Sequence, residues 1–580
     1  MNKKDMKIHD QSLVGSGPMI NAYPDSIGEK LDDIIKLLKM PDFENAFESF
    51  YILPSIYNTD LDRGFSVIDY NLNENYASME DLKELKKIGI KLKLDFVLNH
   101  SSVLTKQFQD ILKNGENSKY KDFFVNWNKF WDGYGKMTKE GYIQPDARFT
   151  KDMFFRKPGL PILNVRMPDG KEVPYWNTFY QEIKYEKVDT QDLIRNMEIQ
   201  YLSAVKLAHV INTSLEQGKK PSEIELGKYT RYRENVINLL ESRREYLGQM
   251  DLNIKSPLVW EFYEETLKKL SKYGAEIVRL DAFAYVSKEP GLKNFLNEPE
   301  TWDILERIKK LADKYNLTLL PEIHSKYEEK IHEKLVQKGY IIYDFFLPGL
   351  IIDVLERSNN EFLIGWITEI QEKKYRVINM LGCHDGIPLL DLKGLLPDEQ
   401  IENLIKMIVD RGGYVKDLHG EKNIYYQVNA TYYSALGEDD RKLLLARAIQ
   451  IFMPGKPQVW YLDLFAGQND YEAVQKAGQG GHKEINRTNL PFEQSKDGLK
   501  KNIVRQQLSL LKFRNIFPAF GFDAKLEILD TEPSMLNLCW KNNGCEAILK
   551  ADLKNYTFNI EAIDNEGKTF YQFNSERFSD

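Results

Sequence analysis

Three stretches of the chain end in residues that can move protons and transfer groups. The first is Glu276-Ile277-Val278-Arg279-Leu280-Asp281-Ala282-Phe283-Ala284-Tyr285, an apolar run delivering a carboxylate with an arginine two positions earlier. Side chains at i and i+2 share one face of a strand. Arg279 and Asp281 therefore point one way, and Val278 and Leu280 point into packing. Such a pair alone equally fits an ion pair capping a buried strand. Repetition changes the balance. Leu317-Thr318-Leu319-Leu320-Pro321-Glu322-Ile323-His324 delivers Glu322, and the run from Val377 to Met380, followed by Leu381-Gly382-Cys383, delivers His384 and Asp385. Three strands that each end in an acid predict a parallel barrel presenting three carboxylates at one mouth.

The segments RLDA, PEIH and CHDG, in that order, resemble the catalytic signature of the α-amylase clan (glycoside hydrolase family 13). The residues around them resemble its sucrose phosphorylase branch. The resemblance implies Asp281 as nucleophile, Glu322 as general acid/base and Asp385 as the group steadying the transition state. It also implies a glucose-binding set. Asp62-Arg63-Gly64-Phe65, by its composition a solvated turn, matches a loop whose Asp grips glucose hydroxyls and whose Phe stacks on the ring. Asp95-Phe96-Val97-Leu98-Asn99-His100 matches the strand-three motif whose His binds the sugar. Gln249-Met250-Asp251-Leu252-Asn253 matches a Gln-x-Asp-x motif. Arg487 ends Glu484-Ile485-Asn486-Arg487, where the branch sets an arginine on glucose. Arg279, Tyr285 and His384 complete the set.

For the acceptor, the resemblance points to Arg156 and Lys157 and to Tyr426 and Gln427, on loops expected after strands three and seven. Tyr425-Tyr426-Gln427-Val428-Asn429 with Thr431–Leu436, and Gly467-Gln468-Asn469-Asp470, match stretches characteristic of the branch. Two positions depart from it. Thr488 follows Arg487 where relatives commonly have His, and Ile424 stands where sucrose-active relatives often have Asp. The substrates implied are sucrose and inorganic phosphate, giving α-glucose 1-phosphate and fructose. Sucrose 6′-phosphate and glucosylglycerate are the alternatives; relatives acting on the former tend to carry His where Tyr426 stands, which favours plain sucrose. A non-catalytic, amylase-like sugar-binding protein is a distant third, since all three acids are present. Replacing Arg156 and Lys157 together with Ala is expected to raise the glucose to glucose 1-phosphate ratio at fixed phosphate. An unchanged ratio would leave that pair as a solvated loop.

The chemistry needs two carboxyls about 5–5.5 Å apart on opposite faces of an anomeric carbon, one attacking and one protonating the leaving oxygen. Neighbouring strands hold such a pair more firmly than loops do. Arg279 is expected to keep Asp281 ionised, since an opposite charge lowers a carboxylate's pKa. Glu322 must hold a proton near neutral pH, which takes burial or a nearby anion. Asp385 faces the positive charge that develops on the sugar, with His384 and His100 as hydroxyl donors.

The elements that position these groups follow from alternating apolar runs. Strands are expected near 20, 51, 95, 278, 319, 344, 380 and 459, the barrel number. Pro24-Asp25-Ser26 reads as a helix start. Between Tyr175–Phe179 and Gln249 lie about 65 charge-rich residues with helical periodicity in Leu193–Leu215 and Lys228–Tyr246. The expected organisation is a (β/α)8 barrel from 1–100, 248–386 and 431–515. An inserted domain at 101–181, a helical insert at 182–247, a segment at 387–430 and a C-terminal β domain at 516–580 complete it. The 580 residues exceed one core.

Composition narrows the classes. The chain is 42% hydrophobic and 29% charged, with a net charge of −8, which gives no basic surplus for nucleic acid. Three scattered cysteines, Cys383, Cys539 and Cys545, argue against a disulfide framework and a zinc site. No cofactor or metal is implied. No secretory signal or membrane span is read, so the expectation is a cytoplasmic monomer or homodimer.

Overall fold

Eight short apolar segments pair side by side, every pair parallel. They are β1 (Met19–Ala22), β2 (Ser49–Ile52), β3 (Lys91–Val97), β4 (Ala275–Asp281), β5 (Thr318–Pro321), β6 (Ile342–Asp344), β7 (Val377–Met380) and β8 (Lys456–Trp460). Their order is β5-β4-β3-β2-β1-β8-β7-β6. The two end strands, β5 and β6, touch and close the ring. This is a (β/α)8 barrel, and each strand position expected from the sequence falls within one of these segments. The computed structural model describes residues 14–156, 159–417, 425–478, 481–529 and 532–578.

The chain divides into two compact units. One holds the chain up to Asn99, Pro257–Lys288 and everything from Lys293 onward, and so contains the whole barrel. It also contains five antiparallel strands in sequence order, β9 (Lys525–Ile528), β10 (Met535–Asn542), β11 (Cys545–Asp552), β12 (Thr557–Ile563) and β13 (Thr569–Asn574). Burial alternates along β12, with Phe558, Ile560 and Ala562 inward, the period of a strand with one packed face.

The second unit is His100–Ser256 with Glu289–Leu292. One of its cores gathers Trp127, Trp131, Ile143 and Trp176. Another is built by helices: Tyr201–Glu216 buries Ala204, Leu207, Ala208 and Ile211, the i, i+3, i+4, i+7 stripe of an amphipathic helix. They meet Leu193, Ile224, Val236 and Leu240. Among the described residues, no helix is long and apolar enough to cross a membrane.

Three local expectations are corrected. The first helix starts at Leu31, later than Pro24-Asp25-Ser26 suggested. The Ser26 hydroxyl instead accepts the Tyr23 amide at 2.8 Å in a turn, and Gly28 at φ +74° redirects the chain. Helical periodicity was also read through Tyr246, but the helix Arg233–Ser242 gives way to the strand Arg244–Asp251. Ile183 pairs opposite Tyr246 there, and Arg244 reaches Glu172 at 2.9 Å, so cross-strand partners outweigh the local pattern. The other helical stretch is broken at Glu198, whose φ of +48° separates Thr190–Met197 from Tyr201–Glu216.

Candidate active site

β4 lies in register with β3 so that Arg279 sits beside Asp95, both pointing into the barrel and both buried. Arg279 Nη1 donates to Asp95 Oδ1 at 2.6 Å and to Asp281 Oδ1 at 2.8 Å. Its Nη2 lies 3.1 Å from Glu322 Oε1. One guanidinium thus ties the ends of three strands together through three carboxylates. Asp95 also accepts from the Tyr51 hydroxyl at 3.0 Å. Glu322 is seated where β5 ends, its amide donating to the Leu280 carbonyl at 3.2 Å. Directly after Asp281, Ala282 takes φ +53°, a left-handed conformation that turns the chain sharply off the strand.

The third acid arrives from β7. Lys483 Nζ donates to Asp385 Oδ1 at 2.5 Å, and His384 Nε2 stands 3.3 Å from Asp385 Oδ2. Arg487 donates through Nε to the His384 carbonyl at 2.8 Å and holds Nη2 3.9 Å from Asp385. The Phe65 ring stacks on the His384 ring at 5.0 Å. That placement depends on Gly64 at φ +119°, where any Cβ would sit 2.3 Å from the Ser55 nitrogen. Asp62 is exposed, 3.9 Å from Arg487 Nη1. Gln427 is buried and accepts the Gly386 amide at 3.3 Å, which brings it beside Asp385.

The barrel unit therefore gathers Asp281, Glu322, Asp385, Asp62, Phe65, Arg279, His384, Arg487 and Gln427. Tyr285 is half-buried, packed edge-on against Phe295 at 4.9 Å. The second unit gathers three others. His100 lies against Phe179 at 4.8 Å, the Arg156 guanidinium lies 4.9 Å over the same ring, and Gln249 pairs opposite Ser102. Lys157 and Ile424 lie outside the described residues, and for Tyr426 only the backbone, in the strand Tyr425–Asn429, is described.

The titration of the acids differs from the expectation drawn from Arg279 alone. Burial pushes Asp281 up to about 8 despite Arg279, because Glu322, Asp95 and Asp385 all face it. Burial also opposes the charge of Glu322, but Arg279 and His324 overcome it and hold Glu322 down at about 2. Arg279 is shared, and that sharing is why it fails to fix Asp281 by itself. The pair thus keeps one proton at neutral pH, and it rests on Asp281 rather than on Glu322, the reverse of the expected placement. Asp385 is simpler: burial opposes its charge, yet His384, Lys483 and Arg487 hold it well below the usual carboxylate range. It stays an anion.

Several residues of this site were missed by reading motifs alone. Lys93 is fully buried between the Tyr51 and Tyr343 rings, 3.8 and 4.4 Å from their centres, and donates to Tyr343 and to Gln458. A signal for it existed: Lys93 and Asp95 alternate on a strand that must face the lumen. His324 lies within a quoted motif but had no role assigned. Lys483 and Asp391 carry no local signal, since only the fold brings them to β7 and β5.

Residues 29–150 match the family model described as the α-amylase catalytic domain. A sucrose 6(F)-phosphate phosphorylase of Ilumatobacter coccineus is 48% identical, over 95% of this chain and 96% of its own. A sucrose phosphorylase of Streptococcus mutans is 29% identical over 94% and 97%. Among solved structures, that of sucrose 6F-phosphate phosphorylase from Thermoanaerobacter thermosaccharolyticum superposes with a TM-score of 0.78. It is 32% identical and covers 97% of this chain and 98% of its own. The chain belongs to the sucrose phosphorylase branch of the α-amylase clan. This branch consists of glycosyltransferases that act as disaccharide phosphorylases. The stretch matched by the α-amylase model ends before β4, so the likeness to full-length sucrose phosphorylase-branch proteins is what covers all three acids.

Proposed function

We propose that the protein is a retaining glucosyl phosphorylase that converts sucrose 6F-phosphate and phosphate into α-glucose 1-phosphate and fructose 6-phosphate. The observation that carries the reading is a 48% likeness, over nearly the full length, to a sucrose 6(F)-phosphate phosphorylase. It is supported by Asp281 and Glu322 flanking one guanidinium with Asp385 alongside. The sequence favoured plain sucrose through Tyr426. One position yields to a likeness extending over the whole chain, so the leaving group is revised to the phosphorylated sugar.

The pair's single proton moves from Asp281 to Glu322 as the donor binds; Asp281 then attacks the glucosyl C1 while Glu322 passes that proton to the glycosidic oxygen, and fructose 6-phosphate departs. A phosphate oxygen then attacks C1, the bond to Asp281 breaks, the proton of the hydrogen phosphate returns to Glu322, and glucose 1-phosphate leaves with net retention. Asp385, fixed as an anion by Lys483 and Arg487, stabilises the positive charge at C1 in both steps. Phe65, held flat on His384, offers its other surroundings to the sugar, and Arg487 and Asp62 are the hydroxyl partners.

The deciding measurement is kcat/KM for sucrose 6F-phosphate and for sucrose under the same phosphate. A preference for the phosphorylated donor of about tenfold or more is expected, because a charge-assisted contact has no counterpart with sucrose. Equal or reversed values would return the assignment to sucrose. The pair of acids must retain its one proton, and the group that titrates highest does so at about 8. Activity is therefore expected to be present below that pH and to fall as pH rises through it. A kcat/KM profile flat to pH 10 would contradict the shared proton.

A further inference from the structure

His324 follows the proposed acid/base by two residues and occupies a closed position between two carboxylates. Its Nδ1 lies 2.9 Å from Asp391 Oδ2, and its Nε2 lies 3.4 Å from Glu322 Oε1. One face of the ring stacks on Phe345 at 3.9 Å. Asp391 comes from 67 residues further along the chain and is itself buried. With a carboxylate on each nitrogen, the ring is placed to donate from both, as an imidazolium. Burial opposes that charge, but Asp391 and Glu322 overcome it and raise His324 to about 10. Other charged groups facing this chain of contacts include Arg279, Asp281 and Asp385 on Glu322, and Glu329 on Asp391.

We propose that Asp391 and His324 are positioning residues that keep Glu322 a weak base, so that the glucosyl-enzyme reacts with phosphate in preference to water. The proposal rests on the reading of Glu322 as acid/base and extends it to the choice of acceptor. Water becomes a competent nucleophile only as a base takes its proton, whereas phosphate is already an anion at neutral pH. A fixed cation against Glu322 therefore penalises hydrolysis and leaves phosphorolysis nearly untouched. The same cation makes protonated Glu322 a stronger acid toward the leaving oxygen. Both halves of the reaction gain from one contact.

The test reads how the intermediate partitions, using α-glucosyl fluoride as donor so that its formation needs no acid. Glucose and glucose 1-phosphate are measured at fixed phosphate across pH 5.5–8.5 (about three units, spanning the ordinary histidine value). Asp391→Asn keeps an oxygen for Nδ1 but removes the charge that holds His324 protonated. The glucose to glucose 1-phosphate ratio is expected to rise on the order of tenfold above pH 7. It should fall back as pH drops below about 6 and His324 regains its proton. His324→Gln, neutral at every pH, should show the raised ratio without that recovery, and it serves where Asp391→Asn does not fold. A ratio unchanged in both variants, or a rise in Asp391→Asn with no pH dependence, would overturn the inference. If the unaltered protein forms no glucose 1-phosphate from any glucosyl donor, the parent reading has failed instead.

Discussion

Asp281→Asn is expected to lower phosphorolysis by about 10⁴-fold or more while leaving the fold intact. The amide has the shape of the carboxyl and its oxygen still accepts from Arg279 Nη1, so the contact at 2.8 Å has a replacement. What is lost is the nucleophile. The site also loses one of three acids crowded around a single guanidinium, Asp95 and Glu322 being the others, and one that Asp385 faces as well, so mutual repulsion falls. The variant's unfolding temperature should therefore equal or exceed that of the parent. Asp281→Gly adds a stereochemical readout. With azide in the emptied space, an α-glucosyl donor should give the β-azide, because one displacement inverts where two retain. Near-native turnover by Asp281→Asn, or an α-azide from Asp281→Gly, would remove β4 from the chemistry.

The acids themselves were legible because each closes an apolar run whose period assigns it to a strand end, and their order along the chain added a family likeness. Strand positions were legible for the same reason: eight buried runs are a strong periodic signal. The ionisation of the acids was not. Arg279 and Asp281 at i and i+2 suggested a private ion pair, and only register showed Asp95 and Glu322 sharing the same guanidinium. Lys483 and Asp391 were invisible for a related reason. Each lies in a segment with no period of its own, and its meaning comes from the strand end that the fold sets opposite it. For the leaving group, Tyr426 pointed to sucrose while the full-length likeness favours the phosphorylated sugar, since loops carry specificity through several residues at once.

Glu322→Gln gives the second large effect, and it depends on the donor. With a sugar leaving group, departure needs a proton, so glucosyl transfer should fall by about 10²–10⁴-fold, the usual contribution of a positioned acid. With α-glucosyl fluoride the leaving group needs no such help, and formation of the intermediate should fall by less than about tenfold. The two rates must be measured on the same preparation. The variant also removes the carboxylate that faces His324 Nε2, while the contact of Asp391 with Nδ1 remains. His324 should then titrate lower than in the parent, by the loss of a favourable neighbouring charge. Its C–H resonances followed by NMR would report this. A third readout separates Glu322 from Asp281. Azide added to Glu322→Gln should yield the α-azide, because the covalent intermediate still forms on Asp281 and is displaced a second time. Equal losses on both donors would mean that the acid is some other group, and a β-azide would mean that Glu322 and Asp281 have exchanged roles.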